Sequence, residues 1–110
     1  MDVRLDCPFC ATVVAVDEAA VELSCRDCGA RGIGGTETPL AAVSAAAEAL
    51  GGDPGRVSQF AAGLFSIGPD HPLSREIAIT SDHREGFYRW WVVVAAGADS
   101  GRIMKALAAG

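Results

Sequence analysis

Hydrophobic and polar positions change period several times along the chain, and each change marks an element. Val13-Val14-Ala15-Val16 is largely β-branched, Asp17-Glu18-Ala19-Ala20 supplies a polar turn, and Val21-Glu22-Leu23-Ser24 follows, which predicts strand, turn, strand. The glycine-rich stretch Gly29-Ala30-Arg31-Gly32-Ile33-Gly34-Gly35 predicts a flexible linker. Thr38 and Pro39 are a helix cap and a first helical residue, and Leu40, Val43, Ala47 and Leu50 follow at helical spacing before Gly51-Gly52 ends the run. Asp53-Pro54 repeats the start signal. Val57, Phe60, Ala61, Leu64 and Phe65 then form one apolar helical face, which Gly68-Pro69 closes. From Arg75 to Thr80 the period becomes two, around Ile77 and Ile79, and predicts a strand; Ser81 to Gly86 predicts a polar loop, and Phe87 to Ala95 the second strand of a hairpin. That second strand is apolar on both sides, with Phe87, Trp91 and Val93 on one face and Tyr88, Trp90, Val92 and Val94 on the other. A strand of this kind is buried on both sides or turns one face to a partner. Asp99-Ser100-Gly101 precedes a short helix through Ile103, Met104 and Leu107.

This succession predicts an α+β chain with an N-terminal module over residues 1–35 and a second over 36–110, the latter built of two helices, a β-hairpin and a short C-terminal helix. Half of the 110 residues are hydrophobic, which fits a folded chain, yet alanine makes up much of that half and thins the core. Small domains with thin cores often need a staple, and a bound metal is one.

All four cysteines lie in the first module, as Cys7-Pro8-Phe9-Cys10, fourteen residues, then Cys25-Arg26-Asp27-Cys28-Gly29. Each Cys-x-x-Cys can turn as a knuckle that aims two thiolates at one point, and two knuckles brought together by the intervening hairpin make a tetrahedral four-sulfur site. Gly29 suits the position after a knuckle, where the backbone often takes positive φ. Four thiolates leave no open coordination position, so the pattern points to one structural Zn2+ on Cys7, Cys10, Cys25 and Cys28 and away from catalytic zinc. Iron in a rubredoxin-like site and thiol redox chemistry are the alternatives. Phe9 is the sole aromatic residue among the first 35, and Cys7 does not open a helix in a strand-helix-strand setting.

Cys-Pro-Phe-Cys, Val16-Asp17-Glu18 and Glu22-Leu23-Ser24-Cys25-Arg26-Asp27-Cys28-Gly29 resemble a zinc ribbon over residues 6–29, in particular the type at the N-terminus of transcription initiation factor B. Ala11 stands where the first knuckle of that type usually has glycine, and nothing downstream resembles the factor's other parts. A second, shorter resemblance covers residues 46–60, where Ala47, Gly51 and Val57 match the spacing of a helix-turn-helix. That resemblance implies a DNA-reading helix presenting Arg56, Ser58 and Gln59, with the following hairpin as the wing of a winged helix.

Charge bears on these readings. The chain carries a net charge of -5 and a single lysine, Lys105, and its arginines are scattered, so no basic footprint for nucleic acid or a membrane surface is present. Through residue 35 there are three arginines against six acidic residues, and four thiolates around Zn2+ add further negative charge. His71 and His83 lack a second ligand at metal-binding spacing and are expected at the surface. Reduced cysteines, a polar N-terminus and no apolar run of membrane length point to the cytoplasm. The expectation for function is a non-catalytic accessory or adaptor protein that docks on a protein partner or a second copy of itself, through Tyr88, Trp90 and Trp91. The alternatives are a zinc-ribbon winged-helix transcription regulator and a small iron or thiol redox carrier.

Overall fold

The alternation along Phe87–Val94 organises the molecule, because that strand lies inside a sheet and is covered on both faces. The computed structural model describes residues 2–84 and 87–108. Within them the strands are β1 (Asp2–Asp6), β2 (Val13–Asp17), β3 (Glu22–Ser24), β4 (Arg31–Thr36), β5 (Ile77–Arg84) and β6 (Phe87–Val94). The α-helices are α1 (Pro39–Ala49), α2 (Val57–Phe65) and α3 (Ser100–Ala108), so the chain is α+β. Strands β3-β4-β6-β5 make one antiparallel sheet in that order, and β1-β2 make a separate antiparallel pair. Val92 and Val94 of β6, with Ile33 and Ile77, face a core shared with Val43, Phe60, Leu64, Ile103 and Leu107 of the three helices. Trp91 and Val93 face the opposite way, into a second core with Val3, Leu5 and Val16 of the small sheet and Leu23, Cys25 and Ala30. The result is three layers: small sheet, main sheet, helices.

Local signals explain the helices. The Thr38 hydroxyl accepts the Ala41 N–H at 3.2 Å and Pro39 takes the first helical position, as the pattern predicts. Gly51 ends α1 at φ 79°. A 3-10 turn, Pro54–Arg56, precedes α2, and Asp53 caps it by accepting the Gly55 N–H at 2.8 Å. Asp99 does the same for α3 through the Arg102 N–H at 3.1 Å. The buried face of α1 consists of Ala42, Val43, Ala46 and Ala47, while Leu40 is exposed. Likewise α2 buries Phe60, Ala61 and Leu64 and leaves Phe65 exposed.

Three expectations change. Residues 29–35 are not a flexible linker: β4 occupies most of them, pairs with both β3 and β6, and runs through position 35. Its glycines serve close approach. A Cβ on Gly34, which sits at φ 133°, would come within 2.8 Å of the Trp90 carbonyl oxygen and 3.1 Å of Ala42 Cβ, so this residue lets α1 lie tight on the sheet. Residues 81–84 are not a loop, since β5 continues to Arg84 and keeps its register with β6; residues 85 and 86 of the expected loop lie outside the described residues. Finally, β2 and β3 do not pair with each other. β2 pairs with β1, an unforeseen strand, and β3 pairs with β4.

Candidate metal centre

Each Cys-x-x-Cys lies between the two strands of its own hairpin, β1 with β2 and β3 with β4. The two turns repeat one hydrogen-bond pattern. The Cys7 carbonyl accepts the Ala11 N–H at 2.9 Å and the Cys7 N–H donates to the Thr12 carbonyl at 2.9 Å. In the second turn the Cys25 carbonyl accepts the Gly29 N–H at 2.9 Å and the Cys25 N–H donates to the Ala30 carbonyl at 2.8 Å. Both turns need positive φ at the residue after the second cysteine: Gly29 takes φ 77°, and Ala11 takes φ 63°, the single described non-glycine residue with positive φ.

The repeated geometry aims four sulfurs at one point. Cys7 and Cys28 Sγ are 3.6 Å apart, Cys10 and Cys25 Sγ are 3.5 Å apart, and all four lie within 4.8 Å of one another. A tetrahedral ion with bonds of about 2.3 Å separates its ligands by about 3.8 Å, so the donor set fits a metal ion, whereas a disulfide would bring two sulfurs to about 2.05 Å. Cys7 and Cys25 are buried in the second core, Cys28 is half-buried and Cys10 is exposed. The thiols differ in acidity. Hydrogen bonds from the Thr12 side chain and backbone hold the Cys10 thiol at about 6. The Ala30 backbone hydrogen bond lowers that of Cys28, but burial and the hydrogen bonds it shares with the other three sulfurs outweigh it and push this thiol up to about 12. Four sulfurs this close cannot all be thiolates without a cation between them, and the set could hold a metal ion.

A second polar site, missed in the sequence, holds the hairpin layer to the main sheet. Asp82 and Arg89 are 2% and 4% exposed and pair across β5 and β6. Arg89 Nη2 donates to Asp82 Oδ2 at 3.1 Å, and the Trp91 indole N–H donates to the same oxygen at 2.6 Å. The Arg89 guanidinium also donates to the carbonyls of Asp17, at the end of β2, and of Glu18 and Ala20 just beyond it, and stacks 5.2 Å from the Trp91 ring centroid. The signal was present in the period-two pattern, which puts Arg89 on the face of Trp91 and Val93.

The other candidate residues fall as follows. Trp91 is fully buried, which corrects its assignment to an interface: the N-terminal hairpin covers it. Trp90 is half-buried against the helix-side core, and Tyr88 is 57% exposed. Ser58 and Gln59 are exposed in the first turn of α2 and Arg56 is exposed at its N-cap. The hairpin over 75–95, offered as a wing, has its second strand, β6, in the interior of the main sheet. His71 is half-buried and its Nδ1 accepts the Leu73 N–H at 3.1 Å; the side chain of His83 lies outside the described part. No helix among the described residues is long and apolar enough to cross a membrane. No family model matches the chain, and no curated protein or solved structure does.

Proposed function

We propose that the chain is a non-catalytic zinc-ribbon protein, an accessory or adaptor subunit of a reducing compartment such as the cytoplasm, that docks on a protein partner. The observation that carries this reading is the convergence of Cys7, Cys10, Cys25 and Cys28 within 4.8 Å. All four donors of a tetrahedron are then protein sulfurs, so a bound Zn2+ has no open position at which to activate water or a substrate, and its contribution is to folding. With Trp91 enclosed, the acidic outer surface of the ribbon becomes the preferred docking face, and it suits a basic protein surface better than a nucleic-acid backbone. Asp6 and Glu18 are exposed on it.

Two measurements test the proposal. Elemental analysis of protein purified without chelator should give about one zinc per chain; iron in its place would favour the redox carrier. Affinity capture with the wild-type chain and an Asp6→Lys/Glu18→Lys double variant should then show a protein bound by the first, released by salt, and lost with the second. Capture of DNA that Arg56→Ala abolishes would replace the adaptor with the transcription regulator.

A further inference from the structure

The small sheet is attached to the rest of the molecule in an unusual way. No strand pairing joins β1-β2 to the main sheet among the described residues. It buries Val3, Leu5, Val16 and Cys7, with Val14 and Phe9 half-buried, and its strand β1 lies against β5. A two-stranded hairpin of this size is marginal on its own in water. Its two ends are fastened differently. At the end where β2 leaves, Arg89 holds the carbonyls of Asp17, Glu18 and Ala20. At the turn end, the fastening is the set of four sulfurs, two from each hairpin, and one exposed hydrogen bond from the Thr12 hydroxyl to Asp27 at 2.7 Å.

Beneath the hairpin lies an apolar face of the main sheet: Trp91, Val93, Leu23 and Ala30, all buried. The strand that carries the tryptophan does not depend on the hairpin for its place. β6 keeps β4 and β5 as hydrogen-bonded neighbours and keeps the helix-side core through Val92 and Val94. The Trp91 indole is also anchored from within the main sheet by Asp82.

We infer that the metal centre is a latch: it holds hairpin β1-β2 closed over the Trp91 face, and emptying it lets the hairpin swing about the Arg89 clamp and uncovers that face. The inference rests on the metal-binding reading above and adds to it a conformational consequence. The hairpin is hinged at residues 17–20 and released at residues 7–10, so loosening is graded from the turn end toward the clamp.

The test is amide hydrogen exchange on the full chain, zinc-loaded and after removal of zinc by a strong chelator in the presence of a thiol reductant. Cys10→Ser serves as a second route to the unlatched state, because Cys10 is exposed and its replacement disturbs no core contact. Expected is a rise of about ten-fold or more in exchange over 3–16, with protection retained in α1, β5 and β6. In a Trp90→Phe background, Trp91 emission should shift to the red and an apolar dye should bind. Retained protection over 3–16 in a chain shown to have lost its zinc overturns the latch alone. Loss of protection in every element together also overturns it, because the metal is then a staple of the whole fold. A chain that never holds metal overturns the metal-binding reading, and the latch with it.

Discussion

Ala11 shows how a single residue can work against the site it serves. Its φ of 63° is the conformation that Gly29 adopts without a Cβ in the matching turn. An L-residue there costs about 1–2 kcal/mol, and glycine gives back about 0.5–1 kcal/mol as unfolded-state entropy. Ala11→Gly is therefore expected to stabilise the metal-loaded protein by about 0.5–1 kcal/mol, read as a higher denaturant midpoint at unchanged slope. Asp82 and Arg89 form the opposite case, a pair that must be kept or removed together. Asp82→Ala leaves the Arg89 charge buried beside Trp91 and should cost about 3–5 kcal/mol in chemical unfolding, with part of the loss recovered in Asp82→Ala/Arg89→Met. The four cysteines were legible at this scale because metal chemistry imposes its own spacing. Asp82 was not, because a Ser-Asp-His-Arg-Glu-Gly run has the composition of a surface loop and only the pairing with β6 shows that it is strand.

The β6 strand separates two kinds of aromatic residue. Trp91 is wholly enclosed, and Trp91→Ala should lower stability by about 3–5 kcal/mol as a core truncation. Tyr88 is 57% exposed, and Tyr88→Ala should cost much less stability than Trp91→Ala while testing whether that end of the strand contributes to association. Thermal unfolding and light scattering on the two variants distinguish these effects. The helices were legible because their caps are local: Thr38, Asp53 and Asp99 each serve a backbone N–H two or three residues onward. The face that α1 buries was less so. Leu40 was expected inward by its spacing, but the tight approach permitted by Gly34 and Ala42 puts the small residues against the sheet and turns Leu40 to solvent.

For the whole molecule, metal binding and pH are coupled in a definite direction. In the metal-free site Cys28 holds its proton up to about 12, so near neutral pH metal binding must release it, and affinity rises with pH. Cys10, at about 6, is mostly thiolate at pH 7 and joins the proton release only as pH falls through that value. Zinc competition titrations at pH 5.5, 6.5 and 7.5 should show affinity falling on acidification, more steeply over the lower interval; a pH-independent affinity would exclude thiolate ligation. The net charge of -5 sets a second expectation at this scale. Random duplex DNA should show no binding by fluorescence anisotropy at about 150 mM salt, because the chain has no cluster of cations with which to displace counterions.

The sequence alone determined the features whose causes lie within a few residues: the cysteine pairs, the helix starts and stops, the apolar β6 strand and the α+β class. Tertiary structure decided what depended on partners far along the chain. Glycines at 32, 34 and 35 have the composition of a linker, but they form a strand because β3 and β6 supply hydrogen bonds on either side and α1 needs room above. The polar-turn signal at Asp17-Glu18 marked a turn correctly but not the pairing, since each knuckle closes a hairpin with the strand beyond it, β1 for one and β4 for the other. The two apolar faces of β6 left open whether one met a partner. On the Trp91 side the cover is Val3, Leu5 and Val16 of the small sheet, with Arg89 of β6 holding the end of the second strand. Alternation records that a face must be covered. The covering segment lies more than seventy residues away in sequence, and no local pattern encodes it.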